Sequence, residues 1–273
     1  MTNNRTLVAI FAHPDDEAFG TGGTLTKYAR EGVDVHLIMA TRGEAGRIAN
    51  PAIKLNKQPM GTLRERELRC ACEHYGLKQL HFLDYIDGQT PMAPLSEAVF
   101  KLVQLLRRLK PQVVMSFGPE GIYGHFDHLA VHRWATAAVA LAAEVELWPE
   151  AGPAHQIPKL YYRAMPQEQV DRMKERFGRT AVSMDGIPFP FVGYPEEQIT
   201  TVINTRHYAR IKARAIRCHA SQLNPDTPML QPDFDPEANA WFYMETFILA
   251  RNCSAAATSA ANGKEDDLFA GVR

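Results

Sequence analysis

The sequence predicts an α/β fold of the Rossmann-like kind, in which helices flank a mainly parallel sheet. Through the first half of the chain, short apolar runs of strand length alternate with amphipathic stretches of helical period. This alternation is typical of βαβ units, whose right-handed crossovers place helices on both faces of the sheet. With 273 residues, 45% of them hydrophobic, the chain is long enough to bury a sizeable core.

The core of the predicted sheet is assigned to about residues 1–148. Strands and helices alternate there, with strands at 7–12, 33–40, 80–83 and 113–117 and helices at 22–30, 63–75, 95–109 and 129–143. A helix follows every strand in this stretch, and we therefore expect the strands to be parallel.

After residue 148 the pattern changes, and about residues 149–252 are predicted to form an α+β extension that supplies part of the pocket. This part has predicted strands at 160–164, 200–203 and 242–249, predicted helices at 167–177 and 207–220, and an irregular segment rich in glycine and proline at 184–195. No low-complexity linker separates the two parts, so we expect a single domain over residues 1–252. Residues 253–273 begin with a run rich in alanine and serine and are predicted to form a mobile tail.

The charge balance argues against nucleic acid and membrane as partners. Lysine and arginine number 30 against 31 aspartate and glutamate, and the formal net charge is -1, so nothing draws the protein to polyanions. No apolar run approaches the roughly 20 residues of a membrane-spanning helix, and the N-terminus lacks the pattern of a secretory signal. We expect a cytoplasmic protein that acts on a small polar molecule, with exposed apolar positions that could support a homo-oligomer.

The four cysteines are predicted to be reduced. Their spacing matches no zinc ribbon. Cys70 and Cys72 are neighbours in sequence, but two positions apart on a helix they point in different directions, which argues against a redox pair.

Two dense polar clusters follow predicted strands and are the candidates for a functional site. The first is His13-Pro14-Asp15-Asp16-Glu17, and the second is Gly124-His125-Phe126-Asp127-His128. In open α/β sheets the loops at the carboxyl ends of parallel strands carry the functional residues. Pro14 favours a sharp turn after the first strand, and the spacing of three between the histidines of the second cluster puts both on one side of a helix start.

The side chains of the two clusters suit metal-assisted hydrolysis. Catalytic zinc takes three nitrogen or oxygen ligands from the protein and keeps one position for water. A further carboxylate can accept the proton of that water, and a further histidine can stabilise the developing oxyanion. The histidine content favours zinc, or else iron or another divalent transition metal, over magnesium, which prefers oxygen ligands. Taken alone, Asp127 could equally be a helix N-cap.

Other catalytic patterns are missing from the sequence. It has no Gly-x-Ser-x-Gly, no P-loop and no His-Glu-x-x-His. Gly20, Gly22 and Gly23 suggest a dinucleotide loop, but their spacing is wrong and the neighbouring acidic residues would repel a pyrophosphate.

The motifs around these clusters resemble those of the LmbE-like family. That family includes the N-acetylglucosaminyl-phosphatidylinositol de-N-acetylases, or PIG-L family, and the deacetylases of mycothiol and bacillithiol synthesis. The matching pieces, in the family's order, are AHPDDEAFGTGGTL at 12–25, TRGEAG at 41–46, LRERELRCACEHYGL at 63–77, LDYIDG at 83–88, YGHFDHLAVH at 123–132, HASQ at 219–222 and DDLFAGV at 266–272. The pairing of AHPDDE with GHxDH is highly specific, and the matches span most of the chain.

The resemblance implies a role for each matching residue. The metal ligands would be His13, Asp16 and His128, and the general base would be Asp15. A protonated His125 would steady the tetrahedral intermediate, with Asp127 placed to orient it. Tyr123 would polarise the amide carbonyl, and the residues expected to contact the sugar are Glu44, Arg64 and Asp87. Phe126 stands where the family usually has proline, and His219 is either packed in the core or turned to the substrate.

The resemblance thus implies zinc-dependent hydrolysis of an N-acyl group, above all N-acetyl, from an N-acetylglucosamine-type small molecule or glycoconjugate. Three alternatives stay open. They are an amidase for larger acyl groups, as in mycothiol S-conjugate amidases, a non-catalytic regulatory protein that keeps the metal site, and a metal-dependent phosphoesterase. The intact Asp15 and His125 argue against the regulatory protein.

Overall fold

A seven-stranded sheet forms the centre of the protein in the computed structural model, which describes residues 5–55, 57–178, 181–184, 186–254 and 263–272. Seven strands belong to it, β1 (Thr6–Phe11), β2 (Asp34–Met39), β3 (Gln79–Phe82), β4 (Val113–Phe117), β5 (Lys159–Arg163), β8 (Thr201–Asn204) and β9 (Met244–Asn252), and a separate hairpin consists of β6 (Ala181–Met184) and β7 (Ile187–Pro190). The order in the sheet is β3-β2-β1-β4-β5-β9-β8. Strands β1 to β4 are parallel, as predicted, and β5 continues the parallel part, whereas β9 and β8 are each antiparallel to the preceding strand in this order.

Helices cover the sheet, and its strands are therefore continuous runs of apolar residues in the sequence. Every residue of β1 and β4 is buried, which is typical of parallel strands covered on both faces. The helices are α1 (Asp16–Arg30), α2 (Met60–Tyr75), α3 (Leu95–Leu109), the short turn α4 (Gly121–Gly124), α5 (Phe126–Leu141), α6 (Gln167–Phe177), α7 (Ala209–Cys218) and the short turn α8 (Ala240–Tyr243). Among them, α1, α2 and α7 pack together, and α3 packs on α5.

The sheet has a topological switch point between β1 and β4. From β1 the chain moves outward to β2 and β3, and then crosses back to add β4 and β5 on the other side. Connections that leave adjacent strands in opposite directions open a crevice beyond the carboxyl ends of those strands. Both polar clusters lie at this crevice, because one follows β1 and the other follows β4.

Most element boundaries differ from the predicted ones by a few residues, and two differences are larger. Helix α1 begins at Asp16, six residues before the expected start, because the polar and glycine-rich first turns hide the helical period. The segment at 184–195 was predicted to be irregular, but its residues Ile187–Pro190 form the second strand of the hairpin.

The prediction of a mobile tail is wrong for the end of the chain. Glu265, Leu268 and Phe269 are buried. The Glu265 carboxylate binds the buried Lys159 ammonium at 2.7 Å and accepts a hydrogen bond from the Tyr161 hydroxyl. The alanine- and serine-rich residues 255–262 lie outside the described residues.

The prediction that all cysteines are reduced is also wrong. Cys70 on α2 and Cys218 on α7 form a disulfide across 148 residues of sequence, with their Cα atoms 5.8 Å apart. Cys72, the neighbour in sequence, is free. Within the described part of the chain, no helix is both long enough and apolar enough to cross a membrane.

Candidate active site

The two polar clusters meet in the crevice between β1 and β4. The imidazole of His13, just after β1, lies with its ring centroid 5.3 Å from that of His128 on α5. Both residues are buried, with 6% and 1% of their surface exposed. The two histidines, 115 positions apart in sequence, therefore belong to one site.

Carboxylates hold the turn after β1 in an unusual conformation. The backbone N–H of His13 donates to the Asp16 carboxylate at 2.7 Å, and that of Asp15 donates to the Glu17 carboxylate at 3.0 Å. Asp15 has φ 113°, in the left-handed region. Such a conformation is costly for a residue other than glycine and persists where the surroundings enforce it, typically at functional sites.

Three side chains of the two clusters converge on one point. Nδ1 of His13 lies 3.3 Å from Nε2 of His128. The two carboxylate oxygens of Asp16 lie 3.4 Å from the His13 nitrogen and 3.2 Å from the His128 nitrogen. These three residues are the ones that the family resemblance predicts to be metal ligands.

The separation of the two imidazole nitrogens fits a tetrahedral zinc ion. Ligand atoms about 2.0–2.1 Å from zinc, at the tetrahedral angle, stand roughly 3.3–3.4 Å from one another. The 3.3 Å between the His13 and His128 nitrogens matches this value, and each of these nitrogens has a different Asp16 oxygen within 3.4 Å. His125 also brings a ring nitrogen within 4.8 Å of those of His13 and His128.

Hydrogen bonds behind the two imidazoles fix which nitrogen faces the shared point. Nε2 of His13 lies 3.0 Å from both the Asp127 and the Asp87 carboxylates. Nδ1 of His128 lies 3.0 Å from the carbonyl oxygen of Gly121. Partners of this kind on the remaining ring nitrogen are what metal-binding histidines almost always have.

The carboxylates around His13 favour a cation at this point. Burial lowers the pKa of His13, but hydrogen bonds to Asp127, Asp16 and Asp87 outweigh burial and raise that pKa well above its ordinary value. A site that stabilises a proton so strongly on the ring also stabilises a bound metal ion, since both are positive charges among the same three carboxylates.

Asp15 stands next to the ligands with an altered acidity. Burial, together with the charges of Asp16 and Glu17, raises the pKa of Asp15 to about 6, although Arg64 and His219 act in the opposite direction. A carboxylate whose pKa lies closer to neutrality is better suited to accept and return a proton. The predicted general base therefore has both the position and the basicity for its role.

His125 lies beside the ligand histidines but is neutral. Burial and the charges of His13 and His128 lower the pKa of His125 to about 4. Its Nδ1 accepts a hydrogen bond from the backbone N–H of Asp127 at 3.1 Å, which leaves the proton of the neutral ring on Nε2. His125 is therefore a neutral ring whose Nε2–H can donate a hydrogen bond, and not the protonated ring that was expected.

Asp127 has a different contact from the expected one. Its carboxylate is fully buried and binds His13, the backbone N–H of Gly88 and the hydroxyl of Thr90. Only its backbone N–H reaches His125. Asp127 thus orients the metal ligand His13 with its side chain, and it orients His125 through the main chain.

Tyr123 lines the cavity at the same edge of the sheet. It lies in α4, where Ile122 has a positive φ of 71°, and its ring centroid is 5.1 Å from that of His128. Burial, and to a lesser degree Asp16 and Asp15, raise the pKa of the Tyr123 hydroxyl. The hydroxyl is therefore protonated and able to donate a hydrogen bond.

The three residues expected to touch the sugar have different environments. Arg64 is 4% exposed and donates to the carbonyl oxygens of Pro14 and Gly43, so it braces the loop that holds Asp15. Asp87 binds His13 and also accepts from the backbone N–H of Ala45. Glu44 is half-buried and accepts a hydrogen bond from the backbone N–H of Asp87.

Sequence reasoning missed the role of Glu17 and left that of His219 open. Both are completely buried, and Nε2 of His219 lies 2.8 Å from the Glu17 carboxylate. Because the same carboxylate accepts from the backbone N–H of Asp15, His219 is a packed residue that supports the turn of the general base. In the sequence, only the HASQ motif indicated His219.

A cavity of about 990 Å³ opens onto the ligand cluster. Asp15, Asp16, Tyr123 and His128 lie along it, together with apolar residues from α6, the β6–β7 region and the loop before α8. Its volume is at the upper end of the range for small-molecule sites. The cavity, the paired carboxylates and the three converging donors form a site suited to metal-assisted hydrolysis of a small molecule.

Comparison with protein families gives a match over residues 8–139, to the model for GlcNAc-PI de-N-acetylase, named PIG-L. Among curated proteins, the 1D-myo-inositol 2-acetamido-2-deoxy-alpha-D-glucopyranoside deacetylase of Geodermatophilus obscurus is 33% identical over 304 residues. That alignment covers 100% of this chain and 99% of the relative.

Solved structures of low sequence identity share the fold. The N,N'-diacetylchitobiose deacetylase of Pyrococcus horikoshii has a TM-score of 0.66 at 19% identity, covering 95% of this chain and 89% of that one. The 4-carboxy-2-hydroxymuconate hydratase of Pseudomonas putida has a TM-score of 0.64 at 18% identity, covering 93% and 100%. Since a deacetylase and a hydratase share this fold, the fold by itself does not determine the reaction.

Proposed function

Because the chain belongs to the PIG-L family of GlcNAc-PI de-N-acetylases, we propose that it uses a zinc ion to remove the N-acetyl group from an N-acetylglucosamine-type small molecule. The chain is accordingly a deacetylase, a hydrolase of amide bonds. One observation supports the zinc above all: the facing nitrogens of His13 and His128 lie 3.3 Å apart, the spacing of two ligands on a tetrahedral zinc ion, and the Asp16 carboxylate lies beside both. Iron or another divalent transition metal would satisfy the same ligands.

Three residues would hold the metal, and the rest of the site would perform the proton transfers. Bound to His13, Asp16 and His128, the ion would supply Lewis acidity to a water molecule and to the amide carbonyl. Asp15 accepts a proton from the water as its oxygen attacks the carbonyl carbon. Nε2–H of the neutral His125 donates to the oxygen on which negative charge develops.

The leaving amine needs a proton, and Asp15 can return the one that it took. The amide C–N bond then breaks, and the products are acetate and a free amino sugar. Tyr123 is close enough to His128 to add a second donor to the carbonyl oxygen. Arg64 acts by bracing the loop that carries Asp15, at 3.3 Å from its carboxylate.

The proposed substrate follows from the similarity to the Geodermatophilus obscurus protein, a deacetylase of an inositol glycoside of N-acetylglucosamine. An amidase for larger acyl groups, a non-catalytic metal-binding protein and a phosphoesterase are the competing functions. An amine-release assay on GlcNAc, GlcNAc-inositol, GlcNAc-malate and diacetylchitobiose, run beside N-benzoyl glucosamine and a phosphate ester, separates all of them.

Asp15→Asn tests the general base without disturbing the backbone, because asparagine tolerates the left-handed conformation that Asp15 adopts. We expect metal content to stay at one ion per chain while kcat falls by about 10²-fold or more. The matched control is Asp226→Asn, which neutralises another carboxylate of the same cavity. A kcat of Asp15→Asn equal to that of the control would remove Asp15 from the mechanism.

His13→Ala tests the metal site, and elemental analysis gives its readout. We expect this variant to lose the ion and the activity together, because His13 provides one of three ligands. Retention of stoichiometric zinc would contradict the assignment of His13 as a ligand.

The cellular setting is part of the proposal. We place the protein in the cytoplasm, free of nucleic acid and membrane partners, acting alone or as a homo-oligomer on a small molecule. The disulfide between Cys70 and Cys218 is the feature that opposes this location, since disulfides are rare in cytosolic proteins. Cell fractionation and light scattering of the purified protein decide the location and the assembly.

A further inference from the structure

The proposed hydrolysis gives no role to one charged side chain of the cavity. Arg163, the last residue of β5, lines the cavity together with Asp15 and Asp16. It pairs in register with Phe117, the last residue of β4, so it lies at the same edge of the sheet as the metal ligands. Within the described part of the chain, its guanidinium forms no hydrogen bond and no ion pair.

The carboxylates that act electrostatically on Arg163 already have other partners. Asp16, Glu245 and Glu120 all act on the Arg163 guanidinium from a distance. Asp16 is bound to His13 and His128. The Glu245 carboxylate pairs with Lys212 at 2.8 Å, and the Glu120 carboxylate accepts a hydrogen bond from a tyrosine hydroxyl.

The fold makes room for this guanidinium on the surface of α1. A Cβ atom at Gly20 would lie 1.6 Å from Nε and 2.4 Å from Cζ of Arg163. These distances are far below any real contact, so the guanidinium can lie there only because residue 20 is glycine. The arginine therefore lies directly against the surface of α1 at Gly20.

A half-buried guanidinium with unused donors is a binding group for anions. Its planar fork of N–H donors matches the two oxygens of a carboxylate, and the match is stronger where water is scarce. The wall of the cavity also contains apolar side chains, among them Met165, Met173, Val182 and Phe191. This combination is suited to a ligand that carries one carboxylate on an apolar or aromatic body.

We propose that Arg163 binds a carboxylate on the aglycone of the substrate, and that the apolar side chains of the wall receive the group that carries it. The inference rests on the proposed function and narrows it to amino-sugar substrates with an acidic, partly apolar aglycone. Gly20 is a positioning residue for Arg163.

The test uses three N-acetylglucosaminides that differ at one position: 4-carboxyphenyl, 4-carbamoylphenyl and phenyl. A 4-phosphonophenyl compound distinguishes a phosphate preference from a carboxylate preference. Dissociation constants are measured by calorimetry on the metal-free protein, and KM and kcat for acetate release are measured on the zinc-loaded protein. The two readouts separate binding from turnover.

We expect the wild-type protein to bind the carboxylate about 10- to 100-fold more tightly than the carboxamide of the same shape. Arg163→Met should abolish this preference, Arg163→Lys should retain part of it, and Gly20→Ala should reduce it by displacing the guanidinium. Arg172→Met is the matched control, because Arg172 lines the same cavity but is already paired with Glu168. The control should keep the preference.

The possible failures are distinguishable. If no compound releases acetate but the carboxylate preference depends on Arg163, the proposed function fails and the subsite remains. If acetate is released without any preference, or if Arg163→Met and Arg172→Met lose the preference equally, the subsite is overturned and the deacetylase is not. A stronger preference for the phosphonate would overturn the choice of a carboxylate.

Discussion

Replacing Asp127 with asparagine would remove one charge behind a metal ligand and leave the shape of the side chain intact. One carboxylate oxygen of Asp127 accepts from the Gly88 N–H at 2.7 Å and lies 3.0 Å from Nε2 of His13. The other accepts from the Thr90 hydroxyl at 2.8 Å. In Asp127→Asn the amide oxygen can keep the first two contacts, and the Thr90 hydroxyl can rotate to accept from the new NH₂ group.

Because no hydrogen bond is lost, the change isolates the effect of the charge on His13. Loss of a carboxylate partner behind a metal-bound histidine typically weakens metal affinity or activity 10- to 100-fold, which corresponds to about 1.4–2.7 kcal/mol. We expect the stability of the metal-free protein to change by less than about 1 kcal/mol. In Asp127→Ala, by contrast, three buried donors lose their acceptor, at a cost of about 1–3 kcal/mol each.

Competition with a chromophoric zinc chelator gives the affinity, and urea unfolding of the metal-free protein gives the stability. Thr90→Val serves as the comparison, because it removes one donor to the same carboxylate and keeps the charge. A zinc affinity of Asp127→Asn within twofold of wild type would show that Asp127 is a structural anchor of its loop and does not tune the metal site.

Three further predictions concern stability and are measured by denaturant unfolding. Cys218→Ser should lower the free energy of unfolding by about 2–5 kcal/mol through loss of the long-range bond to Cys70, whereas Cys253→Ser, at a free exposed cysteine, should have no effect. Glu265→Ala should cost about 3–5 kcal/mol, since it leaves a buried lysine unpaired, and an unchanged stability would contradict the docking of the chain end. Burial and neighbouring positive charge lower the pKa of His81 to about 4, so the unfolded chain takes up the proton first and stability falls as the pH drops from about 6.5 to 4. In His81→Asn the loss of stability over this pH range should be smaller by about 1–2 kcal/mol, allowing for partial exposure. A pH dependence equal to that of wild type would refute the assignment to His81.

The part of the site that the sequence predicts follows from local order and parallel topology. His13 and Asp16 come directly after one buried strand, and His128 begins the helix after another. In a parallel sheet the ends of neighbouring strands lie at one edge, so residues that follow them must meet. That reasoning requires only parallel strands, which the alternation of apolar and amphipathic segments indicates; the order that makes β1 and β4 neighbours comes from the structure.

The features that were missed depend on pairs that no local pattern connects. Glu17 and His219 lie 202 residues apart, and Cys70 and Cys218 lie 148 apart. Each pair becomes visible only when α7 is placed against α1 and α2. Arg163 was not predicted for another reason. A single arginine at the end of a strand belongs to no motif, and its proposed role depends on the absence of a side chain at Gly20.

The docking of Glu265 has a consequence for the order in which the protein is made. Lys159 is completely buried in β5, and its carboxylate partner follows 106 residues later. While the ribosome is still synthesising the intervening chain, that ammonium group has no counterion in the sheet, and burying it alone would be costly. The nascent parallel half can therefore seat its fifth strand stably only once Glu265 has been added, and a chain terminated before that residue would be a substrate for chaperones and proteases.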